Sequence, residues 1–448
     1  MARERIDFPR GFFWGTATAA YQIEGHPLAD GASPSIWHEF SHRRGRVRDG
    51  TNGDVACDHY HRYPEDVRHM RELGVRAYRF SVAWPRVFPE PGRLNPRGLD
   101  FYSRLVDALG DAGIEPFLTI FHWDTPLWLE GMGGAASRSC LEHFVQYGEA
   151  LFRALGDRVR HWITINEPLA YSYVGYVSGE HAPGHRLDAA GALHATHHLL
   201  LAHARLRDTF RSLVPNGEIG IANHHVWCSP RNPSSPRDVR VAAFMDQAAN
   251  DSYLDPLLRG GYPEAVLSRL GKHLPRGFER DMSEIRGRED FIGVNYYNRN
   301  TYRWTPLVPL VHAAEHIPRG SRRSAMWEVY PQGMGLILDR LRTRYGNPRV
   351  YVTENGYPLP QSPGRDPLDD LERIDYLKDH IAEVGRAIDR GSDCRGYFHW
   401  TLTDNFEWNL GTSMRFGLIR TDFATQEREW KKSAYFYRDL LRANRLEL

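Results

Sequence analysis

The sequence predicts an α/β fold in which eight parallel strands alternate with helices and close into a single-domain (β/α)8 barrel. Helical patterns with one apolar face end at a glycine and run directly into short segments of almost continuous apolar character. Such segments are typical of parallel strands that are buried on both faces. Eight of them occur in the 448 residues, and a barrel with long loops reaches this length as one unit, so we expect one domain over residues 1–448.

The predicted strands are rich in β-branched and aromatic residues and are bounded by turn residues. In chain order they are Phe12–Ala17, Ala77–Val82, Pro116–Phe121, His161–Ile165, Ile219–Asn223, Phe291–Asn295, the strand that begins at Val350, and Gly396–Trp400. Helices are predicted to end at Gly74, Gly113, Gly156, Gly346 and Gly391. A doubly wound open sheet is the alternative fold, but no predicted strand is followed by a GxGxxG turn or a GxxxxGK[ST] loop.

Four loop-rich stretches follow the first, fifth, sixth and seventh predicted strands, at residues 26–54, 229–238, 303–325 and 357–368. In a barrel, loops of this kind rise from the carboxyl ends of the strands. We therefore expect them to form the walls of a pocket at that end of the barrel.

Charge is balanced along the chain, with 57 Lys and Arg residues against 56 Asp and Glu residues and a formal net charge of +1. Because no strong overall field would attract nucleic acid or an anionic membrane, we expect neither partner and a neutral substrate. The sequence has no apolar signal segment near its start and no run of about 18 apolar residues, so we expect a cytoplasmic protein or one whose signal segment has been removed. The four cysteines lie far apart and predict free thiols.

The histidines form no recognisable metal-binding motif. His59 and His61 stand two residues apart, and His194, His197 and His198 lie in a helical run, but the sequence contains neither an HExxH nor a Cys/His zinc spacing. We interpret these side chains as helix-surface or packing residues, and we expect neither a metal ion nor a cofactor.

Two glutamates stand at the ends of predicted strands. Glu354 follows the apolar segment Val350–Thr353, and Glu167 follows Thr164–Asn166. Because the carboxyl ends of all barrel strands meet at one mouth, we expect the two carboxyl groups to face each other. Such a pair can cleave a glycoside: one group protonates the leaving oxygen, and the other attacks the anomeric carbon or activates water. The alternative is that one glutamate merely pairs with an arginine.

The chain also resembles the glycoside hydrolase family 1 β-glucosidases. The segments Ile165–Pro168 and Val352–Gly356 are similar to the acid/base and nucleophile motifs of that family. Further matches, in family order, are Phe12–Gly15, Tyr21–Gly25, Tyr78–Ser81, Phe121–Asp124, Asn295–Tyr297 and Asp404–Trp408. Each match is weak alone, but together they span nearly the whole chain.

The resemblance implies a retaining double displacement. Glu354 would attack C1, while protonated Glu167 would give its proton to the aglycone oxygen and later act as the base for water. Arg79 and Tyr297 match the residues that keep the nucleophile ionised, and the charge of Glu354 should raise the pKa of Glu167. The resemblance also implies the sugar-binding residues: Gln22, His122, Asn166, Asn295 and Glu407 for hydroxyl groups, Trp123, Trp400 and Trp408 as aromatic walls, and Trp327 towards the aglycone.

The expected activity is that of an exo-β-glucosidase acting on small neutral β-glycosides or oligosaccharides. Glu407 would repel a phosphate dianion and so favours an unphosphorylated sugar, whereas Arg415 could in principle meet a phosphate. Three alternatives stay open: an inactive barrel that binds carbohydrate or a partner, a transglycosidase, and a 6-phospho-β-glycosidase. Leu169, Ala135 and Thr412 stand where the family commonly has aromatic residues, which predicts a plain aglycone site.

Overall fold

Eight strands form the centre of the computed structural model, which describes residues 4–362 and 364–448. They are β1 Phe13–Ala17, β2 Ala77–Ser81, β3 Glu115–Phe121, β4 His161–Asn166, β5 Glu218–Pro230, β6 Phe291–Trp304, β7 Val350–Asn355 and β8 Cys394–Trp400. Each contains all or nearly all of the corresponding predicted segment.

Hydrogen bonds close these strands into a ring. Their order is β5-β4-β3-β2-β1-β8-β7-β6, and β6 also pairs with β5. Every pairing in the ring is parallel. The predicted (β/α)8 barrel is therefore confirmed, and the open doubly wound sheet is wrong.

The helices surround the barrel and occupy its loops. The α-helices are α1 Ala20–Ile23, α2 Ile36–His42, α3 His59–Leu73, α4 Trp84–Val87, α5 Pro96–Asp111, α6 Leu127–Glu130, α7 Cys140–Leu155, α8 Pro168–Ser172, α9 Ala189–Leu213, α10 Pro236–Asp246, α11 Ser252–Arg259, α12 Glu264–Leu270, α13 Phe278–Ile285, α14 Gln332–Arg344, α15 Leu371–Asp389 and α16 Lys432–Ala443. Tyr173–Ser178 and Gln247–Asp251 are π-helical. Short strands outside the barrel are Arg5–Asp7, Ala313–Glu315, Leu359–Pro360, Met414–Arg415, Ile419–Thr421, Arg428–Trp430 and Arg445–Glu447.

The predicted helices form for the reasons that the sequence indicates. In α5, Pro96 occupies the first turn, where its missing N–H costs nothing, and Phe101, Leu105 and Leu109 form the buried face. Helix α3 ends at Gly74, whose φ of 79° suits glycine and directs its N–H to the carbonyls of Met70 and Arg71. The chain then turns directly into β2.

Aromatic side chains fill the amino-terminal half of the barrel. The ring of Phe117 lies 4.3 Å from that of His161, 4.7 Å from Phe398 and 5.1 Å from Tyr351, measured between centroids. Gly15 leaves room for this layer, because a Cβ atom there would lie 2.5 Å from the ring of Phe398. A packed layer at this end leaves the carboxyl end as the place for a pocket.

The predicted loops lie at the carboxyl ends of the strands, and strands β5 and β6 extend beyond their predicted ends at Asn223 and Asn295. Strands β5 and β6 remain paired as far as Pro230 and Tyr302, well beyond the barrel. Part of the first loop forms α2.

The four cysteines are free, as predicted. In the described residues, no helix has the length and apolar character needed to cross a membrane.

Candidate active site

Glu354 lies near the end of β7 and is held by donors on both carboxylate oxygens. Nη1 of Arg79, in β2, donates to Oε1 over 2.5 Å, and the hydroxyl of Tyr297, in β6, donates to Oε2 over 2.8 Å. Arg79 is completely buried, so its charge is weakly screened. Both contacts stabilise the ionised carboxylate.

Glu167 follows β4 and belongs to the same hydrogen-bond network. Nδ2 of Asn295 donates to Oε1 of Glu167 over 2.7 Å and to Oδ1 of Asn166 over 3.0 Å. Nη2 of Arg79 donates to the same Asn166 oxygen over 2.7 Å. The network therefore runs without a break from Glu354 to Glu167, and the structure brings the two predicted glutamates together at one mouth of the barrel.

The two carboxyl groups have opposite pKa shifts. Burial raises the pKa of Glu354 to about 7, with a further contribution from the charge of Glu167 and opposition from Arg79. Burial also disfavours ionised Glu167, but the charge and hydrogen bond of His224, the hydrogen bond of Asn295 and the charge of Arg79 together hold the pKa of Glu167 below its usual range. The pKa of Glu354 therefore lies above that of Glu167, which is the reverse of the expected order. The expectation took no account of His224, whose Nδ1 lies 3.4 Å from Oε1 of Glu167.

His224 is the functional residue that sequence reasoning missed. It lies in β5, directly after the predicted strand Ile219–Asn223, and its ring stacks near Tyr297 with centroids 6.3 Å apart. Burial is the largest single effect on His224 and lowers its pKa, but the charge and hydrogen bond of Glu167 and the charge of Glu354 together raise that pKa above its usual value. The rule that selected Glu167, a polar side chain at the end of an apolar strand, would also have selected His224.

Asn166 fixes the tautomer of His122. Because Oδ1 of Asn166 accepts two hydrogen bonds, its Nδ2 is the donor towards Nε2 of His122, over 3.0 Å. Burial keeps the pKa of His122 well below its usual range, so the ring is neutral and its proton lies on Nδ1. That Nδ1–H group has no hydrogen-bond partner within the described part of the chain.

Gln22 complements His122 with a free acceptor. Its Nε2 group donates to the carbonyl of Phe406 over 3.0 Å and to Oε2 of Glu407 over 3.1 Å. Its buried Oε1 has no hydrogen-bond partner among the residues described. A hydroxyl group donates one hydrogen bond and accepts others, so a buried free acceptor and a buried free donor suit sugar hydroxyl groups.

Aromatic rings surround these polar groups. Ring centroids of Trp123 and Trp408 are 5.0 Å apart, those of His122 and Trp400 are 5.8 Å apart, and those of Trp327 and Tyr297 are 5.1 Å apart. The structure therefore brings the four predicted tryptophans to the walls around the polar network, with Trp327 on the side of Tyr297.

The backbone of the site is strained at three positions. Trp123, Glu167 and Trp408 have φ angles of 76°, 45° and 48°, in the left-handed region that residues with a Cβ rarely adopt. The surrounding contacts hold them there: the indole N–H of Trp123 donates to the Asn166 carbonyl over 2.8 Å. Strain of this kind persists where the surroundings over-determine the backbone, which is common at active sites.

Other predicted residues lie outside this network. His59 pairs with Asp66 over 2.7 Å, and Nδ1 of His198 lies 3.0 Å from the Ala135 carbonyl, so both are packing residues as interpreted. Arg415 donates to Gln361 over 2.9 Å and stacks on Phe423. Nη2 of Arg415 therefore has a partner within the protein, whereas its buried Nη1 has none among the described residues.

Replacing Glu407 with glutamine is expected to lower kcat/KM for aryl β-glucosides by about 10²-fold, as measured by initial rates. Two adjacent sugar hydroxyl groups that donate to the carboxyl oxygens favour its ionised form, and hydrogen bonds to a charged group contribute about 1.5–3 kcal/mol each. The glutamine amide retains a single acceptor oxygen. An unchanged kcat/KM would show that Glu407 does not contact the sugar.

Protein stability provides the control for this substitution. Burial raises the pKa of Glu407 to about 8, so the folded protein binds a proton at Glu407 more tightly than the unfolded chain does. This residue therefore destabilises the fold as pH rises from about 4.5 towards 8. We expect the stability of Glu407→Gln, relative to that of the parent protein, to be higher at pH 8 than at pH 5. A variant that shows this difference is folded, so misfolding would not explain its lost activity.

The comparisons with known proteins agree with this architecture. Residues 4–446 match the model of glycosyl hydrolase family 1. β-Glucosidase A of Thermotoga maritima is 46% identical over 444 residues, which cover 98% of this chain and 99% of that protein. β-Glucosidase A of Acetivibrio thermocellus is 40% identical over 446 residues, which cover 98% of this chain and 99% of that protein.

Solved structures give the same result. The family 1 β-glucosidase from T. maritima in complex with isofagomine lactam superposes with a TM-score of 0.94 at 46% identity, covering 99% of this chain and 100% of that chain. The T. maritima β-glucosidase in complex with glucoimidazole also superposes with a TM-score of 0.94, covering 98% and 99% of the two chains. The chain therefore belongs to glycosyl hydrolase family 1.

Proposed function

We propose that this glycoside hydrolase is a retaining exo-β-glucosidase that releases terminal non-reducing β-D-glucosyl residues from small neutral glycosides, with the whole chain acting as one catalytic domain. The observation that carries the proposal is the single buried network that holds Glu354 and Glu167 beside unpaired donors and acceptors. The glucosidase names of the T. maritima and A. thermocellus relatives support glucose as the sugar.

The proposed first step forms a glycosyl-enzyme. An oxygen of Glu354 attacks C1, the bond from C1 to the aglycone oxygen breaks, and the proton of Glu167 passes to that oxygen. The donors Arg79 and Tyr297 orient the attacking carboxylate. In the second step Glu167 takes a proton from water, whose oxygen attacks C1 and releases Glu354, so the anomeric configuration is retained.

The two carboxyl groups must share one proton for this chemistry. Because the pKa of Glu354 is raised to about 7, the pair holds at least one proton below that pH. In the reactive state the shared proton lies on Glu167. His224 opposes that state as long as it is a cation, since it stabilises ionised Glu167.

Replacing His224 with asparagine is expected to move the alkaline limb of the kcat/KM profile upward by about one pH unit. Loss of a neighbouring cation makes the last proton of the pair harder to remove, while Arg79, Glu354 and Tyr297 still face Glu167. The measurement is kcat/KM against pH with an aryl β-glucoside. A limb that stays in place or moves to lower pH would contradict the assigned role of His224.

The test of the proposed function is trapping with a 2-deoxy-2-fluoro-β-glucoside that carries an activated leaving group. Fluorine slows both steps, and the good leaving group restores the first, so the glycosyl-enzyme accumulates. Peptide mapping should find the label on Glu354. A label on another residue overturns the assignment, and a protein that neither labels nor hydrolyses aryl β-glycosides is a carbohydrate-binding barrel.

The same assay separates glucosides from 6-phosphoglucosides. We expect turnover of the neutral substrate to dominate, because Glu407 lies in the sugar-binding network and Arg415 is turned towards Gln361. A higher kcat/KM for the 6-phospho substrate would reverse this choice.

A further inference from the structure

We propose that His38, His42 and Asp54 form a binding site for a divalent transition-metal ion such as Zn²⁺. His38 and His42 lie one turn apart in α2, and Asp54 lies on the loop that follows it. Two imidazoles and one carboxylate are ligands that suit zinc and its neighbours in the first transition series. The site lies outside the polar network of the active site.

The spacing of the three side chains fits one ion. Nδ1 of His38 lies 3.4 Å from Oδ1 of Asp54, and Nε2 of His42 lies 3.0 Å from Oδ2 of the same carboxylate. One ligand atom from each residue lies within 4.8 Å of the other two. Ligands of a tetrahedral ion with bonds of about 2.0–2.1 Å are about 3.3–3.4 Å apart, so small side-chain rotations complete the geometry.

The tautomer of His42 places a lone pair against the carboxylate. Nδ1 of His42 lies 2.6 Å from the His38 carbonyl, and a carbonyl only accepts, so Nδ1 carries the proton. In the neutral ring, Nε2 is then an acceptor that faces Asp54, another acceptor, over 3.0 Å and also accepts from Nδ2 of Asn52 over 3.3 Å. A cation between them relieves this contact, and a backbone carbonyl that orients the outer nitrogen is typical of histidine ligands to metals.

His38 and Asp54 also present unused ligand atoms. Nδ1 of His38 and Oδ1 of Asp54 are buried atoms, and neither has a hydrogen-bond partner within the described residues. Two buried ligand atoms without a hydrogen-bond partner, next to Nε2 of His42, point to a shared ion.

A second cluster, formed by His26, Asp58 and His61, is less suited to a metal ion. Nδ1 of His61 already lies 2.6 Å from Oδ1 of Asp58. The guanidinium of Arg62 lies 3.6 Å from Oδ2 of Asp58 and repels a second cation there. This cluster therefore provides a matched control.

Helix α2 connects the proposed metal site to the pocket wall. Trp37, the residue before His38, lies with its ring 4.4 Å from that of Trp408, between centroids. An ion that joins α2 to the loop at Asp54 would restrain this aromatic contact. We therefore expect bound metal to stabilise the folded protein, since the ligands are brought together only in the fold.

The test uses untagged full-length protein, stripped of metals with a chelator and titrated with ZnCl₂ by calorimetry at pH 7.5. We expect one site with a Kd of about 10 µM or tighter, and visible absorption bands of an N/O-coordinated ion when Co²⁺ is used instead. His38→Ala and His42→Ala should each weaken Zn²⁺ binding by at least about 100-fold, while His61→Ala should not. Zn²⁺ should raise the Tm of the parent protein and of His61→Ala.

Two results would overturn the proposal. One is parent protein that binds Zn²⁺ no more tightly than about 1 mM, which leaves a proton as the only cation between His42 and Asp54. The other is high-affinity binding that His61→Ala removes and His38→Ala retains. If an alanine variant loses its circular dichroism spectrum, Asp54→Asn serves instead, and unchanged Zn²⁺ affinity in that folded variant also overturns the site.

Discussion

Replacement of Glu354 by alanine is expected to lower kcat for aryl β-glucosides by about 10⁵-fold or more, because no other group can form the glycosyl-enzyme. Folding should survive, because buried Arg79 keeps its hydrogen bonds to the Thr353 carbonyl and to Oδ1 of Asn166. The donors Arg79 and Tyr297 would then face the space left by the carboxylate. The measurement is kcat with a substrate that has a good leaving group. Active-site titration shows how much contaminating parent enzyme contributes to that rate.

Added azide gives this prediction a positive control. The anion fits beside Arg79 and can attack C1 from the face that Glu354 occupied, while Glu167 protonates the departing aglycone oxygen. The expected product of Glu354→Ala is therefore the α-glucosyl azide, with inverted configuration. Formation of the β-azide, or activity that persists without azide, would show that Glu354 is not the nucleophile.

The barrel could be predicted because its strands and helix ends carry local signals. Glycines such as Gly74 end helices through a backbone geometry that favours glycine, and the strand segments are apolar because both faces are buried. The extension of β5 and β6 could not be predicted in this way. Polar residues such as His225 and Asn300 interrupt the apolar pattern, and the two strands are stabilised there by pairing with each other.

The site was predictable in its composition and less so in its electrostatics. Motifs and strand ends located Glu167, Glu354 and Asn166, because polar residues that stop an apolar strand stand out in a sequence. The pKa order depends on contacts between different strands. His224 reaches Glu167 from β5, which no spacing along the chain shows, and the same holds for Asp54 beside His42.

Replacement of Glu167 by alanine is expected to have an effect that depends on the leaving group. Substrates with a poor leaving group need the proton of Glu167, so their kcat/KM should fall by about 10²- to 10⁴-fold. A leaving group as acidic as 2,4-dinitrophenol departs without a proton, so kcat/KM for substrates that carry it should change little. Their kcat should still fall, because the second step loses its base.

A series of aryl β-glucosides with leaving groups of graded pKa measures this difference, since kcat/KM should depend more steeply on leaving-group pKa in Glu167→Ala than in the parent protein. Azide should raise kcat for the activated substrates and give the β-glucosyl azide, because Glu354 has already occupied the opposite face of C1. Glutamine at position 167 keeps the contact with Asn295 and is the matched control, with the same loss for poor leaving groups. An equal loss for every substrate would assign Glu167 to sugar binding, and an α-azide would mean that the roles of the two glutamates are exchanged.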